Sequence, residues 1–212
     1  MPKTEAAKAM DDLQLRLRPF LKQHGFRMQA RTCNRPTSDG LTHVINFQMG
    51  RFDPPGTYFI PGFRENRYGS FTVNIGVFVP EVAQAQYWIK LPAFAQEVYC
   101  CLRMRLGQLG GQTNVWWNLP ADERTDADLR ERFEQHAFPY FARHETRDAL
   151  LRELEKGAAS LTPRIARAII LAHRGQVRTA KELLEMQIKG VEKGHQEYVQ
   201  KISDRLGLGP LD

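Results

Sequence analysis

The sequence predicts an α+β fold: an N-terminal helix, a four-stranded antiparallel sheet, then an all-helical C-terminal part. Three observations predict it. Residues 4–24 repeat apolar side chains at helical spacing, and four stretches between 26 and 106 alternate with period two. From 121 onward the apolar spacing is that of helices again. A helix followed by a meander, without regular strand–helix alternation, points away from a parallel sheet.

In the first helix Met10, Leu13, Leu17, Phe20 and Leu21 share one face, and Gly25 stands where a helix C-terminus favours glycine. Pro19 removes a hydrogen bond inside this pattern, so a kink or a broken last turn is expected. The first strand is read over Phe26–Arg35, with Phe26, Met28 and Ala30 on one side and Arg27, Gln29 and Arg31 on the other. An Asp-Gly turn in PTSDG (36–40) leads to a second strand, His43–Arg51, which sets Ile45, Phe47 and Met49 against Asn46 and Gln48. Ser70–Val79 sets Phe71, Val73, Ile75, Val77 and Val79 against Thr72, Asn74 and Gly76. Val98–Leu106 sets Val98, Cys100, Leu102, Met104 and Leu106 against Tyr99, Cys101, Arg103 and Arg105. Such alternation marks half-buried strands of an antiparallel sheet.

Residues 81–97 have room for a short helix before Pro92, and 109–119 read as a turn and a short extended piece. The pair Trp116-Trp117 is expected to place one ring in the core and one at its rim. Beyond 121, Asp122 or Thr125 opens a helix interrupted by Pro139. Thr146 caps another that ends at Gly157, and Thr162-Pro163 is a strong start for the next. Gly175 separates that helix from one beginning near Val177, and Tyr198, Ile202 and Leu206 mark a last one. The small residues around Gly175 resemble the turn of a tetratricopeptide-type hairpin, but a solenoid needs about three repeats or more.

Composition narrows the function classes. Of 212 residues, 42% are hydrophobic and 25% charged, which excludes disordered and collagen-like chains. Three cysteines make no disulfide framework and read as cytoplasmic thiols. No apolar run approaches a membrane span, and MPKTEAAKAMDDLQ lacks a signal peptide's apolar core. The net charge is +6, carried by residues 1–120 with 14 Lys/Arg against 8 Asp/Glu, while 121–212 balance at 16 each. The chain is therefore expected as a basic half, 1–120, and a helical extension, 121–212, packed on it in one compact unit. The basic excess is dilute, weaker than a usual nucleic-acid footprint.

No HExxH, phosphate-binding loop, GxSxG or GxGxxG occurs. The six histidines are scattered, so neither metal nor cofactor is expected. Cys100 falls on the apolar side of its strand; Cys101, beside Arg103, is the thiol whose pKa that guanidinium would lower.

Two features stand out. If the strands align, Arg27, Arg31, Arg103 and Arg105 join Asn46, Gln48, Asn74 and Tyr99 in one polar face, where guanidinium forks suit carboxylate or phosphate. The long segment 53–69 carries Tyr58, Phe63 and Arg64, residue types enriched at interaction hot spots.

His24-Gly25-Phe26, VINFQ at Val44–Gln48, FTVNIGVFVPE at Phe71–Glu81, CLRMRLG at Cys101–Gly107 and VWW at 115–117 together carry a resemblance. Over roughly residues 8–155 the chain resembles the bacterial family catalogued as domain of unknown function 4304. The resemblance implies a small bacterial cytosolic α+β protein and brings no assigned activity. The expected function is a non-enzymatic protein-binding module, of toxin-neutralising (immunity) type, that meets an acidic partner protein through the arginine face and aromatic loop. Nucleic-acid or other anion binding is the alternative, and an enzyme acting on an anionic small molecule the third reading.

Overall fold

The structure, a computed structural model, describes residues 3–51, 58, 60, 66–157 and 162–212. The α+β expectation holds: an N-terminal helix, an antiparallel sheet and a helical C-terminal part. Strands pair in the order β1-β2-β3-β4-β5, and a short β6 pairs with β4. These are β1 (Arg27–Gln29), β2 (Thr32–Pro36), β3 (Thr42–Met49), β4 (Ser70–Phe78), β5 (Leu102–Arg105) and β6 (Trp117–Asn118). The chain divides into two compact units, each drawing on three stretches. The first holds Met1–Arg35, Val44–Ile75 and Met104–Ala142; the second holds Pro36–His43, Gly76–Arg103 and Arg143–Asp212.

In the first unit, α1 (Glu5–Gln23) starts at Thr4, whose Oγ1 accepts from the Ala7 amide at 3.2 Å. The helix runs through Pro19 to Gln23, so the broken last turn does not occur. The carbonyl that Pro19 leaves without a donor belongs to Leu15, on the exposed side of the helix, where water can satisfy it. Gly25, at φ 83°, closes the helix: its amide donates to the Lys22 carbonyl and that of Phe26 to Leu21, both at 3.0 Å.

The single strand expected over Phe26–Arg35 is a hairpin. Gln29 opposes Thr32, and Ala30-Arg31 form the turn with Ala30 at φ 47°. Alternation continues across a two-residue turn, and no glycine announces this one. Gln14 on α1 donates to the Ala30 carbonyl at 3.0 Å and pins the turn. This hairpin and β6 are why the strands exceed the expected four.

Residues Ser70–Phe78 of β4 are buried on both sides, its polar members included. Thr72 donates to the Val115 carbonyl at 2.9 Å, and Phe71 stacks on Trp117 with ring centres 5.6 Å apart. Trp117 is buried and Trp116 half-buried, as expected of the pair. Asp122 caps α4 (Glu123–Arg132), accepting from the Thr125 amide at 2.8 Å. A π turn, Phe133–Ala137, then leads into α5 (Phe138–Arg143). Pro139 has no amide to donate to the preceding turn, and the Phe138 amide bonds the Phe133 carbonyl five residues back. Phe133 lies 6.3 Å from Phe20 and 6.4 Å from Phe47, and Phe26 lies 5.6 Å from Phe141. This aromatic core joins α1, β3 and α5. Arg16 on α1 holds Asp126 of α4 at 2.6 Å beside it.

In the second unit, α2 (Pro80–Tyr87) precedes a 3₁₀ turn at Glu97–Tyr99. The expected strand Val98–Leu106 is therefore shortened at both ends: it begins at Leu102, and Leu106–Leu109 form a helical turn, α3. Gly76 lets this return pass, because a Cβ there would lie 2.6 Å from Cys100 Sγ and 2.8 Å from its Cβ. Thr146 caps α6 (Arg147–Glu155) and Gly157 lies beyond its end, as read from the sequence. α7 (Pro163–His173) begins after Thr162 and packs against α2, α6 and α8 (Val177–Ile188), with Gly175 at φ 78° in the turn between α7 and α8. α9 (Lys193–Arg205) packs on α8 and α2. No helix is long and apolar enough to cross a membrane among the described residues.

Candidate interaction surface

The expected polar face forms in part. Asn74 on β4 donates from Nδ2 to Gln48 Oε1 at 2.8 Å and lies 3.5 Å from Asn46 Oδ1, both on β3. Asn46 in turn donates to Thr32 Oγ1 on β2 at 3.1 Å. Side chains at matching positions on adjacent antiparallel strands share a face, and here amide meets amide between β4 and β3 while the Thr32 hydroxyl extends the row to β2. These groups satisfy one another and ask for no ligand.

The arginines do not join that row. Arg27 is exposed on β1, and Arg31 sits in the hairpin turn instead of between apolar neighbours on a strand. Arg103 donates from Nε to Glu97 Oε1 at 2.6 Å, and this carboxylate hydrogen bond raises the guanidinium pKa against the opposing effect of burial. Arg105 donates to Asn114 Oδ1 at 2.5 Å and lies 5.4 Å from the Trp116 ring centre, as Arg67 also does. Arg103 and Arg105 are each engaged by their own neighbours, so the predicted continuous guanidinium–amide face is corrected to a short polar row with separate arginines. Tyr99 is likewise corrected, from a strand to the 3₁₀ turn. Tyr58 is exposed, while Phe63 and Arg64 lie outside the described residues.

The thiol expectation is also overturned. Cys101 is buried, and desolvation pushes its pKa up to about 12, as it does for Cys33; Cys100 is raised as well. At Cys100 the Arg103 charge opposes the rise without overturning it, while at Cys101 burial and the Glu81 charge both act upward. Among the described residues, no group of three His, Cys, Asp or Glu could hold a metal ion. A cleft of about 400 Å³ between α6, α7 and α8 is lined by Thr162, Arg164, Arg167 and Met186, with Glu155 bound to Arg167 at 2.8 Å. Its described lining contains neither histidine nor cysteine.

A different surface gathers aromatic residues in the second unit. At the end of α2, Trp88 takes the left-handed conformation (φ 51°, ψ 31°), which turns the chain out of the helix. Its ring meets Tyr198 of α9 edge-on at 5.7 Å, and Tyr87 meets Tyr99 the same way at 5.2 Å. Burial raises the phenol pKa of both Tyr87 and Tyr198, Arg103 opposing it at Tyr87. Yet the ledge stays open: Trp88 is 47% exposed, Leu91 40% and Val98 51%. Sequence reading missed it because period-two alternation absorbed Val98 and Tyr99 into a strand. The available signal was Tyr87-Trp88-Ile89, an apolar run directly after a helix and short of Pro92.

Neither the curated proteins nor the solved structures contain a match to the chain. The family model described as "Domain of unknown function (DUF4304)" matches residues 17–143, a narrower stretch than the resemblance read over 8–155. That match takes in the end of the N-terminal helix from Leu17, the whole sheet, α2 and the helices through Arg143, more than half of the chain, and the protein therefore belongs to the DUF4304 family.

Proposed function

We propose that this chain is a non-enzymatic protein-binding module working in a bacterial cytosol, and that the aromatic ledge of Tyr87, Trp88, Leu91, Val98 and Tyr99 is its contact surface. The observation that carries the reading is the exposure of Trp88, Leu91 and Val98 along the stretch from the end of α2 to the 3₁₀ turn, where Tyr99 meets Tyr87 and Tyr198 meets Trp88. Tyr and Trp supply large contact area at little conformational entropy and are enriched among binding hot spots. The three cysteines are all free, which suits a reducing compartment. Toxin neutralisation is one concrete form of such a role. The test is affinity capture from the native host with the full chain and its Trp88→Asn and Val98→Asp variants. A partner held by the natural chain and lost from both folded variants supports the reading; partners retained equally by all three overturn it.

A second reading rests on Arg105, whose described contacts are the Asn114 amide and the Trp116 ring, without a carboxylate. It makes that corner an anion or nucleic-acid contact. Binding to a single-stranded oligonucleotide that weakens steeply with salt and disappears in Arg105→Gln would favour it.

A further inference from the structure

The described lining of the cleft between α6, α7 and α8 contains none of the aromatic ledge, and two kinds of group meet there. Leu154, Leu183 and Met186 form an apolar wall, and Met186 is 53% exposed although Ala180 and Leu184 of the same helix are buried. Arg164 and Arg167 bring guanidinium groups from α7. Every acid on these three helices is matched. On α6, Asp148 is bound by Arg174, Glu153 meets Lys156 at 3.6 Å, and Glu155 holds Arg167 at 2.8 Å. On α8, Glu182 meets Arg178 at 3.0 Å and Glu185 meets Lys181 at 3.8 Å. The α7 segment, Pro163–His173, contains no acid. Glu155 is therefore the one carboxylate in the described lining, and it is committed to Arg167. Arg164 is exposed and has no carboxylate partner among the described residues.

One unspent guanidinium thus stands beside an apolar wall in about 400 Å³, a volume within the range of small-ligand sites. We infer that the cleft binds a small amphipathic carboxylate, an aliphatic or aryl chain ending in a single carboxyl group. The planar fork of Arg164 gives the carboxylate two parallel hydrogen bonds, and the chain lies on Leu154, Leu183 and Met186, whose unbranched thioether adapts to its shape. A doubly charged phosphate would ask for a second free cation, and Arg167 already serves Glu155. An uncharged chain would draw nothing from Arg164. The site is independent of the protein-binding ledge, and either stands without the other.

The experiment titrates the full chain with octanoate, with octan-1-ol and with acetate at neutral pH, following the heat of binding. It repeats the octanoate titration on Arg164→Gln and Met186→Gln, both exposed positions, whose folding is verified by far-ultraviolet circular dichroism. The expected result is saturable binding of octanoate to the natural chain, weakened about tenfold or more in Arg164→Gln and also weakened in Met186→Gln. Octan-1-ol should bind about tenfold or more weakly than octanoate, and acetate should give no saturation. No binding of octanoate by the natural chain would overturn the site. Octan-1-ol held as tightly as octanoate, with Arg164→Gln unchanged, would overturn the carboxylate. Octanoate bound equally by all three chains would place its binding elsewhere and overturn the assignment to this cleft.

Discussion

Arg147 opens α6 and ties together the β2–β3 turn and α2 within the second unit. It donates from Nε and Nη2 to the two Glu81 oxygens at 2.6 and 2.9 Å, from its amide to Asp39 Oδ2 at 2.6 Å, and from Nη1 to the Asp39 carbonyl. The Glu81 side chain is 8% exposed and that of Arg147 20%. Removing one partner from a buried ion pair destabilises by about 3–5 kcal/mol, because the other charge is left in low dielectric. Asp39 remains 3.4 Å from Arg147 and a fifth of the guanidinium side chain is in water, so Glu81→Gln should fall below that range, at about 2–3 kcal/mol. The double variant Glu81→Met/Arg147→Met should be less destabilised than the two single changes added, by about 1.5 kcal/mol or more, since no charge is stranded. Urea denaturation of the full chain at neutral pH measures both. Acid provides an independent check. Burial alone would raise the Glu81 pKa from 4.5, but the Arg147 hydrogen bond, a backbone bond and nearby cations more than reverse this. A carboxyl depressed in the folded state contributes stability above its unfolded pKa and loses it as pH falls through the folded value. The natural chain should therefore lose stability below about pH 4.5 more steeply than Glu81→Gln. Single variants within about 0.5 kcal/mol of the parent, or strictly additive ones, would refute the clamp.

Gly76→Ala forces a methyl onto Cys100 and should cost about 1–3 kcal/mol by denaturant titration; a neutral result would mean that the turn before β5 yields freely. The three buried thiols, with Cys33 and Cys101 raised to about 12, should resist a colorimetric thiol reagent at pH 8 until the chain is unfolded, when all three react. Rapid labelling of one thiol in the native protein would contradict their burial. Trp88→Asn keeps a residue that tolerates the left-handed backbone, so its stability should stay within about 1 kcal/mol of the parent by thermal melting. A larger loss would make Trp88 a packing residue and not a surface one. Thr4→Ala removes the α1 cap and should cost about 1 kcal/mol, measured in the same titration.

Local chemistry was legible without coordinates. Gly25, Asp122, Thr146 and Gly175 act on backbone groups within a few residues of themselves, so their roles follow from the chain alone. The burial of Val73, Ile75 and Phe47 was equally readable, because a strand with one apolar side must bury it. The tertiary structure decided what depends on distance across the sequence. Ala30-Arg31 became a turn because the hairpin returns and Gln14 holds it there, though nothing in its residue types demands a reversal. The arginines went to Glu97, Asn114 and Trp116, since a guanidinium follows whatever acceptor the fold brings near, and alternation fixes only the side on which a strand residue points. Trp88 met Tyr198 across 110 positions of chain, a pairing set by how α9 packs on α2 and written in no local pattern.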